Sequence, residues 1–269
     1  MILVNGNSQE CLSVLDRGLA YGDGLFETIA VHDGKPLLLD LHWQRLETGC
    51  KRLKIPCPEI SLLDNDIKQL LADANRTQQS RCVIKIILTR GGGGRGYRFD
   101  SEQSATRIAI LSGWPQWQGT EQDTGVKLRV CETRLSAQPL LSGIKHLNRL
   151  EQVMARSEWT DNDIVEGIML DAQNNIIEGT MSNIFFVDNQ QCIISPALND
   201  CGVAGVQREN ILHLAKRAGF NVNIMNVPLN RLPEFSEVFI TNSLIGVWPV
   251  TAIDKHVYAC GTITRALQQ

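Results

Sequence analysis

The sequence predicts an α+β protein of two domains. Short apolar runs of strand character alternate with amphipathic helical stretches in both halves of the chain. A polar, turn-prone, aperiodic stretch at 114–123 separates those halves, and 269 residues suffice for two modest cores. The expected division is 1–113 for a smaller N-terminal domain, 114–123 for the linker and 124–269 for a larger C-terminal domain.

In the first half, Ile2 to Val4 reads as a short strand closed by Asn5-Gly6, a strong two-residue hairpin signal. Leu25 to Val31 and Pro36 to Leu39 flank a second hairpin at His32-Asp33-Gly34-Lys35. Asp40 is placed to cap a helix whose apolar side is Trp43, Leu46, Cys50 and Leu53. A second helix carries Leu63, Ile67, Leu70 and Ala74 on one side, and Cys82 to Leu88 and Thr106 to Leu111 read as strands around a glycine-rich loop. Beyond the linker, strands are expected at Val126 to Val130, Glu166 to Leu170, Ser182 to Val187, Cys192 to Ile194 and Glu237 to Thr241. Helices fall at about 147–159 and 207–218.

Composition excludes several classes of function. Hydrophobic residues make up 43% and charged residues 20%, the balance of a globular chain, and the net charge of −3 offers no basic face for nucleic acid. The opening Met1 to Gly6 lacks the basic start and apolar run of a signal peptide, and no apolar stretch reaches membrane-spanning length. Eight scattered cysteines without a C-x-x-C spacing point to reduced thiols and a cytoplasmic setting. Five histidines show no metal-binding spacing, so no metal is expected.

Five stretches carry candidate chemistry. Gly91 to Gly96 contains a formal G-x-G-x-x-G, yet no helix opens after it as a dinucleotide site requires. It reads either as a loop over a pocket, carrying Arg90, Arg95, Tyr97 and Arg98, or as a plain surface hairpin. Lys145, between Gly143-Ile144 and His146-Leu147-Asn148, would by itself count as a surface lysine. Glu178, in Glu178-Gly179-Thr180-Met181-Ser182-Asn183, is either a carboxylate facing a pocket or a turn residue. Gly202 to Arg208 leads into a helix whose first N–H groups suit a phosphate, and Thr241-Asn242-Ser243 adds hydroxyl and amide donors. An amine, a carboxylate and a phosphate seat are the parts a pyridoxal 5′-phosphate site needs.

The order of these segments resembles the fold-type IV pyridoxal-phosphate enzymes, which include the branched-chain and D-amino-acid aminotransferases. The resemblance runs through Asp16-Arg17-Gly18, Tyr21 to Thr28, His42 to Leu46, Lys145, Glu178 to Phe185 and Gly205 to Arg208, nearly the whole chain. It implies a smaller N-terminal α/β sandwich and a larger C-terminal α/β barrel-like domain, usually assembled as a homodimer. It also implies that Lys145 is the Schiff-base lysine and Glu178 the partner of the pyridine nitrogen. Arg45, the backbone of Val206 and Gln207, and Thr241 or Asn242 would hold the phosphate.

Within that family, Gly143 to Gln152 and Thr89 to Tyr97 are similar to lyases that split 4-amino-4-deoxychorismate into 4-aminobenzoate and pyruvate. This likeness implies a catalytic role for Lys145, with Lys145 or Thr28 as proton donor to the departing enol. Arg90, Arg95, Tyr97 and Arg98 are the candidates for the substrate carboxylates. An aminotransferase on the same fold, or a non-catalytic cofactor-binding protein, would share the lysine and the carboxylate.

Overall fold

The computed structural model describes residues 1–100, 103–117 and 119–268, in two compact units. The first comprises Met1–Pro115 together with Ile144–Asn148, and the second comprises Gln116–Gly143 and Arg149–Gln269. The boundary at 115/116 falls within the expected linker, of which Gln118 lies outside the described residues. The five-residue return of Ile144–Asn148 to the first unit is not legible in composition or periodicity.

In the first unit the elements are β1 (Ile2–Val4), β2 (Asn7–Ser8), α1 (Arg17–Tyr21), β3 (Gly24–His32), β4 (Lys35–Pro36), α2 (Leu39–Leu53), α3 (Ile60–Arg76), β5 (Arg81–Thr89) and β6 (Thr106–Gly113). The strands form one antiparallel sheet in the order β2-β1-β6-β5-β3-β4. Strand alternation sends Leu25, Glu27, Ile29 and Val31 of β3 to the buried face, with Ile84, Ile86 and Leu88 of β5. Trp43, Leu46 and Cys50 of α2 and Leu63, Ile67, Leu70 and Ala74 of α3 are buried as their spacing predicts. Asp40 is not the cap of α2. Leu38 holds that position in the left-handed region at φ 53°, which shortens the expected strand to β4 and leaves Asp40 in the first turn.

In the second unit the elements are α4 (Glu121–Thr124), β7 (Val126–Arg134), α5 (Leu150–Arg156), β8 (Ile164–Leu170), β9 (Asn175–Gly179), β10 (Asn183–Asp188), β11 (Ile193–Pro196), α6 (Val206–Arg217), β12 (Val222–Met225), β13 (Val227–Pro228), a 3₁₀ turn (Leu229–Glu234), β14 (Phe235–Asn242), β15 (Gly246–Ile253), β16 (His256–Val257) and α7 (Thr262–Ala266). They build a ten-stranded mixed sheet in the order β12-β11-β10-β14-β15-β7-β8-β9-β13, with β16 on β15. The sheet curls until β9 lies beside β10 and β11, and among the described residues no ladder pairs β9 with either. Its inner face packs Ile184, Phe186, Val238, Ile240, Trp248 and Val250 together. The alternate residues Phe185, Val187 and Phe239 pack under α6 and α7, so these strands are apolar on both faces.

The expected helix at 147–159 is shorter, because the segment before it is extended. Phe26 N–H donates to the Lys145 carbonyl at 2.9 Å, and Leu147 N–H donates to the Gly24 carbonyl at 3.0 Å. Those backbone groups cannot also serve a helix, which therefore begins at Leu150. Gly24 allows the approach: a Cβ there would meet the Leu88 carbonyl oxygen at 2.5 Å and Leu147 Cδ1 at 2.8 Å. Gly24→Ala should therefore cost about 1–3 kcal/mol through overpacking. A lowered urea midpoint is the expected result, and an unchanged one would show that the segment yields without strain.

Candidate active site

Each unit carries its own group of candidate residues. In the first, the extended segment holds Lys145 half-buried, with Nζ 4.4 Å from the centroid of the Phe26 ring. Phe26 and Thr28 project from the half-exposed face of β3, opposite to Glu27. Pairing of Leu25 with His146 fixes the segment in register with that strand.

Glu27 is the feature that composition and periodicity passed over. It is 1% exposed, on the face otherwise filled by Leu25 and Ile29. His42 Nδ1 lies 2.6 Å from its Oε2, Arg45 Nε donates to Oε1 at 2.9 Å, and Arg45 Nη2 also reaches Oε2. Positions 42 and 45 are one turn apart on α2, which brings both side chains over the same carboxylate. Burial alone would raise the Glu27 carboxyl, but the Arg45 charge and the His42 and Arg45 hydrogen bonds outweigh it and hold it below the usual range. Arg45 is thereby oriented by Glu27. A charged residue at an inward position of an apolar strand was the signal available in sequence.

Arg90 departs from the expectation of a substrate contact. It is 3% exposed, with Nε and Nη2 gripping both oxygens of Asp23 at 2.8 and 2.9 Å and further bonds to the Leu53 and Lys54 carbonyls. Its guanidinium also lies 3.8 Å from the Phe99 ring centroid. Four of its donor contacts are therefore spent inside the unit, which makes it a brace. Burial works to raise the Asp23 carboxyl, while bonds and charges from Arg90 and Arg17 lower it further than burial raises it. Arg17 also donates to the carbonyls of Gly96 at 2.9 Å and Tyr97 at 3.3 Å, tying down the glycine-rich loop. Arg95, Tyr97 and Arg98 are exposed, and the Tyr97 ring packs edge-on against Tyr21.

In the second unit, Glu178 is the penultimate residue of β9, buried to 4% exposure, and its Oε2 accepts from the Val203 N–H at 2.8 Å. Glu178 therefore lies in a strand and not in a turn. The Gly202–Ala204 stretch beneath it is pinned by Gly143, whose N–H donates to the Gly202 carbonyl and whose carbonyl accepts from Ala204. Gly202 has φ 86°, and a Cβ there would meet Ile177 and Leu198 at 2.8 Å, so this approach requires glycine.

Asn183 then sets the start of α6. Its Nδ2 donates to the Val203 carbonyl at 2.9 Å and its Oδ1 accepts from Gly205 N–H at 3.1 Å. The next N–H groups, of Val206 and Gln207, open a twelve-residue helix with no side-chain cap and suit an anion. Arg208 points elsewhere, to Ser195 Oγ at 2.9 Å and the Pro196 carbonyl. Thr241 is fully buried and its hydroxyl donates to the Gly246 carbonyl at 2.5 Å. Asn242 Nδ2 donates to the Met181 carbonyl, and its Oδ1 accepts from Leu244 and Ile245 N–H groups. In this arrangement both side chains serve the β14–β15 turn.

The first unit thus offers an aromatic-backed amine, and the second a buried carboxylate and a helix start cradled by glycines. This chemistry matches pyridoxal phosphate, which needs an amine for its aldehyde, an anion for its ring nitrogen and donors for its phosphate. The amino-transferase class IV family model matches residues 24–253. The chain belongs to that family and has the fold-type IV architecture, with pyridoxal 5′-phosphate as its cofactor.

Among its relatives, an aminodeoxychorismate lyase of Vibrio harveyi is 37% identical, over 100% of this chain and 98% of the relative. The crystal structure of 4-amino-4-deoxychorismate lyase from Pseudomonas aeruginosa superposes with a TM-score of 0.93 at 46% identity, covering 100% and 97% of the two chains. A D-alanine aminotransferase of Bacillus licheniformis is 27% identical over 99% of this chain and 94% of its own.

The Glu27 cluster has a measurable pH signature. Its folded value lies below its ordinary 4.5, so its stabilisation is present above that pH and is lost as pH falls toward the folded value. Glu27→Gln, which leaves Arg45 without its carboxylate, should lower stability at neutral pH by about 3–5 kcal/mol. It should also flatten the loss of stability between about pH 5 and pH 3. Urea unfolding at several pH values checks both, and a variant as acid-sensitive as wild type would remove Glu27 from this role.

Proposed function

We propose that this chain is a pyridoxal-phosphate-dependent lyase that converts 4-amino-4-deoxychorismate to 4-aminobenzoate and pyruvate. The observation that carries the reading is the end-to-end likeness to two such lyases, at 37% and 46% identity. It is supported by a lysine held at Phe26 and a carboxylate held at the Val203 N–H. When bound, the cofactor supplies an electron sink for the pair left when the substrate's ring C–H loses its proton.

Lys145 is read as the amine that tethers the cofactor and then, as the neutral amine, takes the proton from the ring carbon bearing nitrogen. Glu178 is the carboxylate that keeps the pyridine nitrogen protonated. Arg45, held by Glu27, and the N–H groups of Val206 and Gln207 are assigned to the phosphate, with Thr241 and Asn242 shaping the adjoining turn. Loss of the proton lets the neighbouring C–O bond break, pyruvate departs as its enol, and the ring becomes aromatic. The enol then takes a proton, for which Thr28 on the face of Phe26, or Lys145 itself, is the donor. Arg95, Tyr97 and Arg98 are the loop residues assigned to substrate carboxylates.

We further place the protein in the cytoplasm as a homodimer. Eight free cysteines fit a reducing compartment, and burial pushes the Cys131 and Cys201 thiols up to about 12, which keeps them inert. No helix among the described residues is long and apolar enough to cross a membrane. Leu150, Val153 and Met154 leave an apolar exposed side on α5 that a second copy would bury.

Lys145→Ala should abolish both the cofactor's imine absorbance and the release of 4-aminobenzoate; a yellow, active variant contradicts the assignment. Glu178→Gln should retain cofactor and lower kcat by about 10²–10⁴-fold, the scale of a positioned acid or base. Unchanged turnover would mean that another group sets the charge of the pyridine nitrogen.

A further inference from the structure

Cys50 and Cys57 form a thiol pair away from every residue assigned to the cofactor or the substrate. Cys50 lies in the last turn of α2 and is 1% exposed, whereas Cys57 is exposed in the segment between α2 and α3. The two thiols are hydrogen-bonded to each other.

The backbone is folded to bring them together. Lys54 ends α2 in the left-handed region at φ 55°, and its N–H donates to the Lys51 carbonyl at 3.3 Å. Ile55 N–H then donates to the carbonyl of Cys50 itself at 2.9 Å, which turns the chain back over the helix end. The buried Ile55 side chain anchors that turn. Pro56 and Pro58 flank Cys57, and a residue that precedes proline is confined to extended backbone, so Ile55 and Cys57 have little freedom. Arg90 braces the same turn by donating to the Leu53 and Lys54 carbonyls, each at 2.7 Å. The meeting of the two sulfurs is therefore built by backbone bonds, a buried anchor and two prolines.

The pair is asymmetric. Burial and the neighbouring Cys57 thiol push the Cys50 thiol up, so Cys50 stays protonated and shielded while Cys57 faces solvent. Oxidation of Cys57 to a neutral sulfenic acid removes its thiolate charge from beside Cys50, which eases loss of the Cys50 proton.

We propose that Cys50 and Cys57 are a reversible oxidation site, which a peroxide converts to a disulfide. The Cys57 thiolate attacks one peroxide oxygen, the O–O bond breaks, and the other oxygen leaves as water after taking a proton. Cys50 then attacks the Cys57 sulfur, the S–S bond forms, the S–O bond breaks and a second water leaves. Two thiols lose two electrons and the peroxide gains them. The bond staples the end of α2, the helix that carries His42 and Arg45, and spares Cys57 from irreversible oxidation. A dithiol reductant restores both thiols. This inference is independent of the lyase reading.

The test treats reduced holoenzyme with a small excess of hydrogen peroxide, alkylates the remaining thiols under denaturing conditions, digests with trypsin and identifies the products by mass spectrometry. Trypsin cuts at Lys51, Arg52 and Lys54, so Cys50 and Cys57 part unless a bond joins them. The expected product joins them, with free thiols falling by two from eight and returning with dithiothreitol. The urea midpoint of the oxidised protein should rise, because the crosslink restricts the unfolded chain. In Cys50→Ala the sulfenic acid on Cys57 should persist, be trapped by dimedone, and pass to sulfinic acid with more peroxide. Cys57→Ser should give no crosslink and leave Cys50 unoxidised. Should Cys50→Ala fail to fold, Cys57→Ser carries the comparison alone. Wild type in which Cys57 resists peroxide, goes to sulfinic acid beside a free Cys50, or pairs with another cysteine or a second copy overturns the proposal.

Discussion

Two backbone hydrogen bonds hold Lys145 in place: Phe26 N–H to the Lys145 carbonyl and Leu147 N–H to the Gly24 carbonyl. They make a short extended addition to β3 from a segment more than a hundred residues away in sequence. Because peptide groups rather than side chains form the contact, it fixes the height of Lys145 along the strand, and with it which strand residue Nζ meets. That residue is Phe26. The segment cannot be helical and paired with β3 at once, so the late start of α5 and the position of the lysine follow from the same constraint. Asn148 adds a side-chain bond to the Gly22 carbonyl at 3.0 Å.

Buried carboxylates are held by cations at three places in the first unit, whereas Asp16 there accepts from an N–H and a hydroxyl. Glu27 is neutralised by Arg45 and hydrogen-bonded to His42, while Asp23 is shared by Arg17 and Arg90. In the second, carboxylates are satisfied mainly by N–H and hydroxyl groups. Glu166 accepts from Thr180, Met181, Ser182 and Gly167, and Glu237 accepts from Ile263 and Thr264 and so anchors α7. Glu178 belongs to this second type through Val203. A carboxylate that accepts from N–H groups is favoured in its charged form.

Much of this was legible in sequence, for physical reasons. Helices α2 and α3 show a clear 3.6-residue stripe, and the Asn5-Gly6 turn names its own conformation, with positive φ at both positions. Elements were missed where one signal masks another. Strand β15 contains Pro249, which breaks a strand pattern even though its neighbours pair on both sides. Strand β9 ends in Glu178-Gly179 and runs into Thr180-Met181-Ser182, a polar, glycine-containing stretch that reads as a turn. The candidate residues stand out by their motifs, but their hydrogen-bond partners do not. That Arg90 grips Asp23, that Thr241 bonds the Gly246 carbonyl and that Glu27 lies under Arg45 are tertiary facts without local periodicity.

The central claim is that this fold, shared with aminotransferases, here carries out an elimination. The most direct measurement incubates the purified holoenzyme with 4-amino-4-deoxychorismate and quantifies both products. The account predicts 4-aminobenzoate and pyruvate in equal amounts, sustained over many turnovers without any amino-acid or keto-acid co-substrate. No 4-aminobenzoate, together with conversion of an added amino acid to its keto acid, would contradict it.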